Sequence, residues 1–378
     1  MRKLFYCYLL IGLVACGQKQ DCKFALIDKS AFDTLIDGQK VSLYTLNSGN
    51  GVTMQVTNFG ARVVSIWTPD RNGHYEDVCI GYENIGKYLN NTGERYLGCI
   101  VGRYANRIAK GTFQIDGETF NTPVNNNGQT LHGGIKGLDM VVWEAYEVSD
   151  NTINFRYISP DGDDGFPGRL TIYMSYMLDS LNRFSIIYKA STDKPTVVNL
   201  SNHAFFNLKG EGNGSICDHV LTINAGGYTP VDSVLIPTGE IRDVSNTPFD
   251  FRQPTSIGKR IEANDQQLKF GGGYDHNWTL DNRSGKVTLA ATVYEPASGR
   301  LMEVLTDQPG IQFYCGNFFN GKGIGKHGKP INWREAIALE TQKFPDSPNQ
   351  PDFPSTRLNP GDVYSHICIY KFSIKSEP

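Results

Sequence analysis

Four short stretches of this chain set ionisable and amide side chains beside turn residues in a way that a core does not demand. Gly102-Arg103-Tyr104-Ala105-Asn106-Arg107-Ile108 places two arginines and an amide next to a strand-like run, and Leu131-His132-Gly133-Gly134 exposes a histidine beside a turn. Gly273-Tyr274-Asp275-His276-Asn277-Trp278 clusters a carboxylate, an imidazole and an amide, and Leu339-Glu340-Thr341-Gln342 supplies another carboxylate. A fifth, Asn199 to Leu208, carries His203 among short hydrogen-bonding side chains. Carboxylates and imidazoles together suit general acid–base work. Bland roles stand beside these. Arg107 serves equally as a sheet-edge ion pair and Asp275 as a turn side chain, while His276 and Arg103 read as structural, Arg103 paired within the sheet. Glu340 is the sharpest case, since a Glu on an inward strand face is rarely buried unless paired or functional.

The elements that must position these groups read as strands. Short β-like runs alternate with Gly, Asn, Asp and Pro punctuation from Val41 almost to the end, at residues 51–58, 62–67, 152–158, 170–178, 184–190, 220–223, 286–294, 300–306, 311–314 and 364–374. No Gly/Ser-rich linker, charge block or repeat divides the chain, so residues 31–378 read as one large antiparallel β-sandwich domain. Residues 199–208 read as a single strand. Val198, Leu200, Ala204, Phe206 and Leu208 line a core face, with Asn202 as the one exception. Asn199, Ser201, His203, Phe205 and Asn207 line a polar face. Residues 333–342 stay open between a helix, by propensity, and a strand, by period. Gly323-Ile324-Gly325-Lys326-His327-Gly328 matches G-x-G-x-x-G, but Pro330 follows and no strand–turn–helix context surrounds it, so it is a loop. The loop at 159–168 lacks an acidic ligand where a calcium loop needs one, because Gly165 stands there.

The net charge of −3 argues against nucleic acid as a partner. Arg2 and Lys3 precede an apolar run from Leu4 to Ala15, too short for an ordinary spanning helix and laid out as a secretory signal. It ends in Leu13-Val14-Ala15-Cys16-Gly17, which resembles the bacterial lipoprotein cleavage box. That likeness implies a signal peptide at 1–15, lipid on Cys16, a polar tether over 16–30, and an exported, membrane-anchored protein facing the periplasm. Cys22, Cys79, Cys99, Cys217, Cys315 and Cys368 form no C-x-x-C pair, so metal-ligand spacing is absent. Cys79, Cys99, Cys315 and Cys368, inside apolar runs, read as buried free thiols.

In order and spacing the chemical stretches resemble the aldose 1-epimerase, or galactose mutarotase, family. The likeness runs from Asn58-Phe59-Gly60-Ala61 to Pro360-Gly361 and takes in Pro230-Val231-Asp232, Ile236-Pro237-Thr238-Gly239, Pro248-Phe249-Asp250 and Gln312-Phe313-Tyr314. It implies a galactose mutarotase-like β-supersandwich with its site on a concave sheet face, and it implies that residues 333–342 contribute a strand. It further implies Glu340 as catalytic base and His203 as acid, with His132, Asn106, Arg107, Asp275 and Gln312 holding a free aldohexose such as galactose or glucose, and with neither metal nor cofactor. At ordinary pKa values near about 4.3 and about 6.5, Glu340 would be ionised and His203 available as the cation. Tyr274, Trp278, Phe313 and Phe344 are the aromatic neighbours that sugar rings would stack on, unless they are core. Two other readings fit less well: a hexose 6-phosphate relative, which calls for a basic cluster, and a non-catalytic sugar-binding lipoprotein, which has no use for Glu340 and His203 together.

Overall fold

Leu170–Leu178 and Arg183–Thr192 bury every second residue and leave the others half-buried or exposed, as strands do with one face on a core and one on solvent. They belong to a nine-stranded sheet ordered Glu144–Tyr146, Thr152–Ser159, Leu170–Leu178, Arg183–Thr192, Tyr364–Ile374, Arg300–Thr306, Thr288–Tyr294, Val220–Ile223 and Thr255–Ser256. The computed structural model describes residues 24–90, 93–282 and 284–375; the signal segment, Cys16 and Cys22 lie outside the described residues. Strand pairings are antiparallel, and the only α-helices among the described residues are the short Ile85–Leu89 and Gln266–Gly271. The chain is an all-β protein.

A second sheet, of six strands, carries the polar stretches. Its order is Phe205–Phe206, Ile337–Gln342, Gly310–Tyr314, Asp275–Thr279, Gly227–Thr229 and Arg242–Asp243. Every residue of Ile337–Gln342 and Gly310–Tyr314 is buried, so both faces of these strands are covered. One face packs toward the nine-stranded sheet through a core that includes Leu339, Phe313, Trp278, Phe206 and Tyr370. Two ties cross this layer behind Glu340. Tyr370 Oη donates to the Leu339 carbonyl at 2.8 Å, and Thr341 Oγ1 lies 2.9 Å from His366 Nε2.

These contacts decide the segment that propensity left open. Residues 337–342 pair with Phe205–Phe206 on one side and Gly310–Tyr314 on the other, so ladder bonds and two packed faces override the helical preference of Ala, Glu and Leu.

The segment at 199–208 is not one strand. Ser201–Asn202 pairs with Ile100–Val101, and Phe205–Phe206 pairs with Ile337–Ala338, so the chain changes partners at His203 and Ala204. Asn202, the polar break in its apolar face, is buried at that switch. Its Nδ2 donates to the Gly98 carbonyl and to Tyr176 Oη, and its Oδ1 accepts the Ala204 N–H.

The G-x-G-x-x-G segment is a loop, as expected, and its lysine turns inward. Lys326 Nζ, 2 % exposed, sits 3.1 Å from Asp77 and 3.0 Å from Glu211. Arg103 is structural, as expected, but it is buried and not paired with a carboxylate. It donates instead to the carbonyls of Pro167 and Gly168 and to Thr196, bracing the 159–168 loop. Packing begins before residue 31: Phe24 stacks on Trp67 at 4.8 Å, and Gln55 exchanges two hydrogen bonds with the Ile27 backbone. Cys79, Cys99, Cys315 and Cys368 are buried free thiols.

Candidate active site

Side chains at alternate positions of paired strands share a face, and register brings three of the expected residues together on the face away from the core. Gln312 lies directly across from Glu340, and Asp275 across from Tyr314. Gln312 Nε2 donates to Asp275 Oδ1 at 2.7 Å. His203 arrives from the partner switch beside Phe205, pinned by its own N–H to the Cys99 carbonyl and by the Gly98 N–H to its carbonyl. Its Nε2 stands 3.4 Å from Glu340 Oε1.

Asn106, Arg107 and His132 come from a separate two-stranded pair in which Arg107 faces Leu131. Asn106 and His132 both adopt positive φ, +67° and +53°, a conformation that non-glycine residues rarely hold without support. Each supports the other: His132 N–H donates to the Asn106 carbonyl at 3.0 Å, and Asn106 N–H donates to His132 Nδ1 at 3.1 Å. Because Nδ1 accepts, the neutral ring carries its proton on Nε2. Arg107 Nη2 reaches within 3.9 Å of Asp275.

All seven expected residues line one cavity of about 310 Å³. Glu94, Tyr96, Tyr314 and Phe318, which sequence reasoning missed, are among the other residues that line it. Tyr96 packs edge-on to His132 with centroids at 4.6 Å and lies over His203 at 5.9 Å. The aromatics expected at the sugar were displaced by one residue. Tyr274, Trp278 and Phe313 are wholly buried in the core, since residues an odd number of positions from Asp275 or Gln312 along these strands point to the opposite face. His276 is likewise buried, packed edge-on to Tyr228 and Phe249. Asn199, Ser201 and Asn207 serve as hydrogen-bonding support, holding the Lys343, Thr341 and Glu335 carbonyls respectively.

The electrostatics differ from what ordinary pKa values would give. Burial pushes the Glu340 carboxyl well above the usual carboxylate range, the nearby Asp275 charge pushes the same way, and Arg107 opposes both. Burial holds His203 down to about 3, with Arg62 adding to the effect. Burial also holds His132 well below the ordinary value, with His203 and Arg107 contributing. The cavity by itself therefore favours a neutral Glu340–His203 pair rather than carboxylate and imidazolium. Glu340 Oε2, His203 Nδ1, Gln312 Oε1 and Arg107 Nε are buried there without a hydrogen-bond partner. His132, His203 and Glu340 bring donor atoms within 4.8 Å of one another, a span a metal could bridge. The tautomer set by Asn106 puts an N–H on the free His132 nitrogen, which suits an oxygen acceptor rather than a cation.

Known proteins resemble the chain in both sequence and architecture. The sequence profile of the Aldose 1-epimerase family matches residues 42–371. Galactose mutarotase of Bos taurus is 42% identical over 321 residues, covering 85% of this chain and 91% of its own. Aldose 1-epimerase of Escherichia coli (strain K12) is 36% identical over 338 residues, 89% of this chain and 96% of its own. Among solved structures, an aldose epimerase homologue from C. elegans superposes with a TM-score of 0.80 at 28% identity, covering 89% of this chain and 100% of its own. Galactose 1-epimerase from Lactobacillus acidophilus NCFM superposes with a TM-score of 0.79 at 27% identity, covering 91% and 97%. The chain belongs to the aldose 1-epimerase family.

Proposed function

We propose that this protein is a mutarotase that interconverts the α- and β-anomers of free aldohexoses such as galactose or glucose, with Glu340 as base and His203 as acid. The observation that carries the reading is the 3.4 Å contact between Glu340 Oε1 and His203 Nε2 at the cavity, where Glu340 Oε2 and His203 Nδ1 are buried and unbonded. A sugar hydroxyl donating to Glu340 favours its carboxylate form and so moves the shared proton toward His203.

Glu340 then takes the proton of the C1 hydroxyl. As the C1–O5 bond breaks, its electron pair goes to O5, which takes a proton from His203, and C1 becomes an aldehyde carbonyl. Rotation about C1–C2 presents the other face. O5 re-attacks, its proton returns to His203, and Glu340 returns its own to O1. Each positioned transfer contributes about 10²–10⁴-fold. Arg107, Asp275 and Gln312, already interlinked by contacts of 3.9 and 2.7 Å, hold the remaining hydroxyls so that C1 alone turns. Polarimetry or NMR of freshly dissolved α-galactose or α-glucose tests the reading: equilibration no faster than buffer would refute it.

The same proposal extends to place. The signal-like run at 1–15 ending before Cys16 supports export and lipid attachment at Cys16, with the catalytic part held at a membrane surface facing the periplasm. Among the described residues no helix is long and apolar enough to cross a membrane. Expressed in its own cell, the intact chain should incorporate labelled palmitate and sediment with membranes, whereas Cys16→Ser should do neither; a Cys16→Ser protein that stays labelled would refute the anchor.

A further inference from the structure

The cavity wall carries three carboxylates, Glu94, Asp275 and Glu340, against one guanidinium, Arg107. Two of the three have partners that account for them. Glu340 faces His203, and Asp275 accepts from Gln312 and faces Arg107. Glu94 has no such cation. It enters the wall from the turn before Ile100–Val101, where its Oε1 accepts the Tyr96 N–H at 2.9 Å.

The two arginines close to it in the fold are already engaged. Arg95 grips Asp139 with both Nε and Nη2, at 2.7 and 2.9 Å. Arg62 gives its guanidinium to the carbonyls of Arg95, Leu97 and Asp139. No ion pair among the described residues includes Glu94. Burial raises its carboxyl, while the Tyr96 N–H and the more distant Arg62 charge draw it back down. Its charge is felt across the cavity, where it is one of the influences that raise Glu340 and Tyr314.

We propose that Glu94 is a charge filter for the sugar pocket: its un-neutralised carboxylate at the cavity selects uncharged aldoses and rejects aldoses that carry an anionic group. The inference rests on the mutarotase reading, because it concerns which sugars that site accepts. Two features make Glu94 suited to the task. As an acceptor it suits hydroxyl donors, and as an unpaired negative charge in a partly desolvated wall it repels a second anion far more than bulk water would allow. The repulsion works by differential binding, so it shows in the ratio of two substrates rather than in either alone.

The probe pair is α-galactose and α-galacturonate, which share ring and hydroxyls and differ by a carboxylate at C6. Their kcat/KM values are measured by polarimetry for wild type, Glu94→Gln and Glu94→Asp. Glu94→Gln is expected to raise the galacturonate-to-galactose ratio by roughly five- to tenfold at low salt, while Glu94→Asp keeps the wild-type ratio. Raising ionic strength from about 10 mM to about 500 mM should narrow the wild-type discrimination and leave that of Glu94→Gln flat.

A ratio unchanged within twofold, or an equal fall for both sugars as expected if Glu94 only held Tyr96, overturns the filter. Should neither variant fold, as judged by circular dichroism, the wild-type salt series still decides, since a flat ratio overturns the proposal and a narrowing one upholds it. Wild-type protein that turns over neither sugar refutes the mutarotase reading instead.

Discussion

Glu340→Gln should make the protein more stable while it removes nearly all turnover, and the two effects have one cause. Glu340 is 2 % exposed, lies within the influence of Asp275, and is only partly offset by Arg107, so its carboxyl is held well above the usual range. A group raised on folding contributes stability that is full below its unfolded value, about 4.3, and is lost as pH climbs through the folded value. Above that window the folded chain must either keep a proton that the unfolded chain releases or bury a charge. Every tenfold rise in proton affinity on folding corresponds to about 1.4 kcal/mol, and burying an uncompensated carboxylate costs several.

Glutamine keeps the volume and the contact with His203 but removes this cost. The variant should therefore match wild type near pH 4 and exceed it by about 2–5 °C in Tm near pH 8, given about 1–2 °C per kcal/mol for a chain of this length. Its kcat should fall by about 10²–10⁴, or roughly 3–5 kcal/mol of transition-state stabilisation. Paired thermal melts at the two pH values, with polarimetry on the same samples, check both halves. A variant no more stable than wild type at pH 8, or a stability difference that does not change with pH, would refute the electrostatic reasoning; retained turnover would refute the base assignment.

Three further outcomes follow from the same contacts. His203→Gln should lose about 10²–10⁴-fold in kcat. Because His203 is depressed to about 3, wild type loses stability as pH falls from about 6.5 towards that value, so the variant should lose less between pH 7 and pH 4; equal acid sensitivity in melts would contradict this. Lys326→Met strands Asp77 and Glu211 in the interior and should cost about 3–5 kcal/mol near pH 8 by denaturant titration. The loss should shrink near pH 5, because burial already holds Glu211 up to about 7 and protonation then removes its charge; an equal loss at both pH values would count against the buried triad. Phe318, 57 % exposed at the cavity and stacked on Tyr314, should act as a sugar platform: Phe318→Ala is expected to raise KM by roughly three- to tenfold with little change in kcat, and a drop in kcat at constant KM would exclude that role.

Strands 170–178, 220–223, 300–306 and 364–374 have the bounds expected from sequence because most alternate a core face with a wetter one. The partner switch at His203 was not legible, since nothing local tells Ser201–Asn202 to pair with Ile100–Val101 and Phe205–Phe206 with Ile337–Ala338. The one available signal was Asn202, a polar break in an apolar period that marks where the ladder changes hands. Tyr274 and Phe313 adjoin Asp275 and Gln312 in sequence but stand one residue out of phase with them, on the core face. The two-residue period of the same strands puts Tyr314, on the Gln312 face, in the cavity instead. Glu94 and Tyr96 sit in a turn with no period at all, and only the fold brings that turn over the histidines. The expected titration behaviour failed for a related reason: ordinary pKa values belong to solvated groups, and the burial that raises Glu340 and lowers His203 is a property of the assembled sheets.

That burial bears directly on the proposed chemistry. Isomerisation at C1 consumes no net proton: one leaves O1 as another reaches O5, and both steps reverse on reclosure. A Glu340–His203 pair holding a single proton is matched to this stoichiometry, and its two forms, neutral pair and ion pair, have the same total charge. In open water the ion pair would dominate and the carboxylate would be a weak base. Within this cavity the neutral form is favoured, so the carboxylate generated when a sugar donates to Glu340 is more basic and the imidazolium more acidic than their solvated counterparts. The burial that costs stability at Glu340 thus sharpens both proton transfers, and the gain in stability and the loss of turnover expected for Glu340→Gln are two readouts of one arrangement.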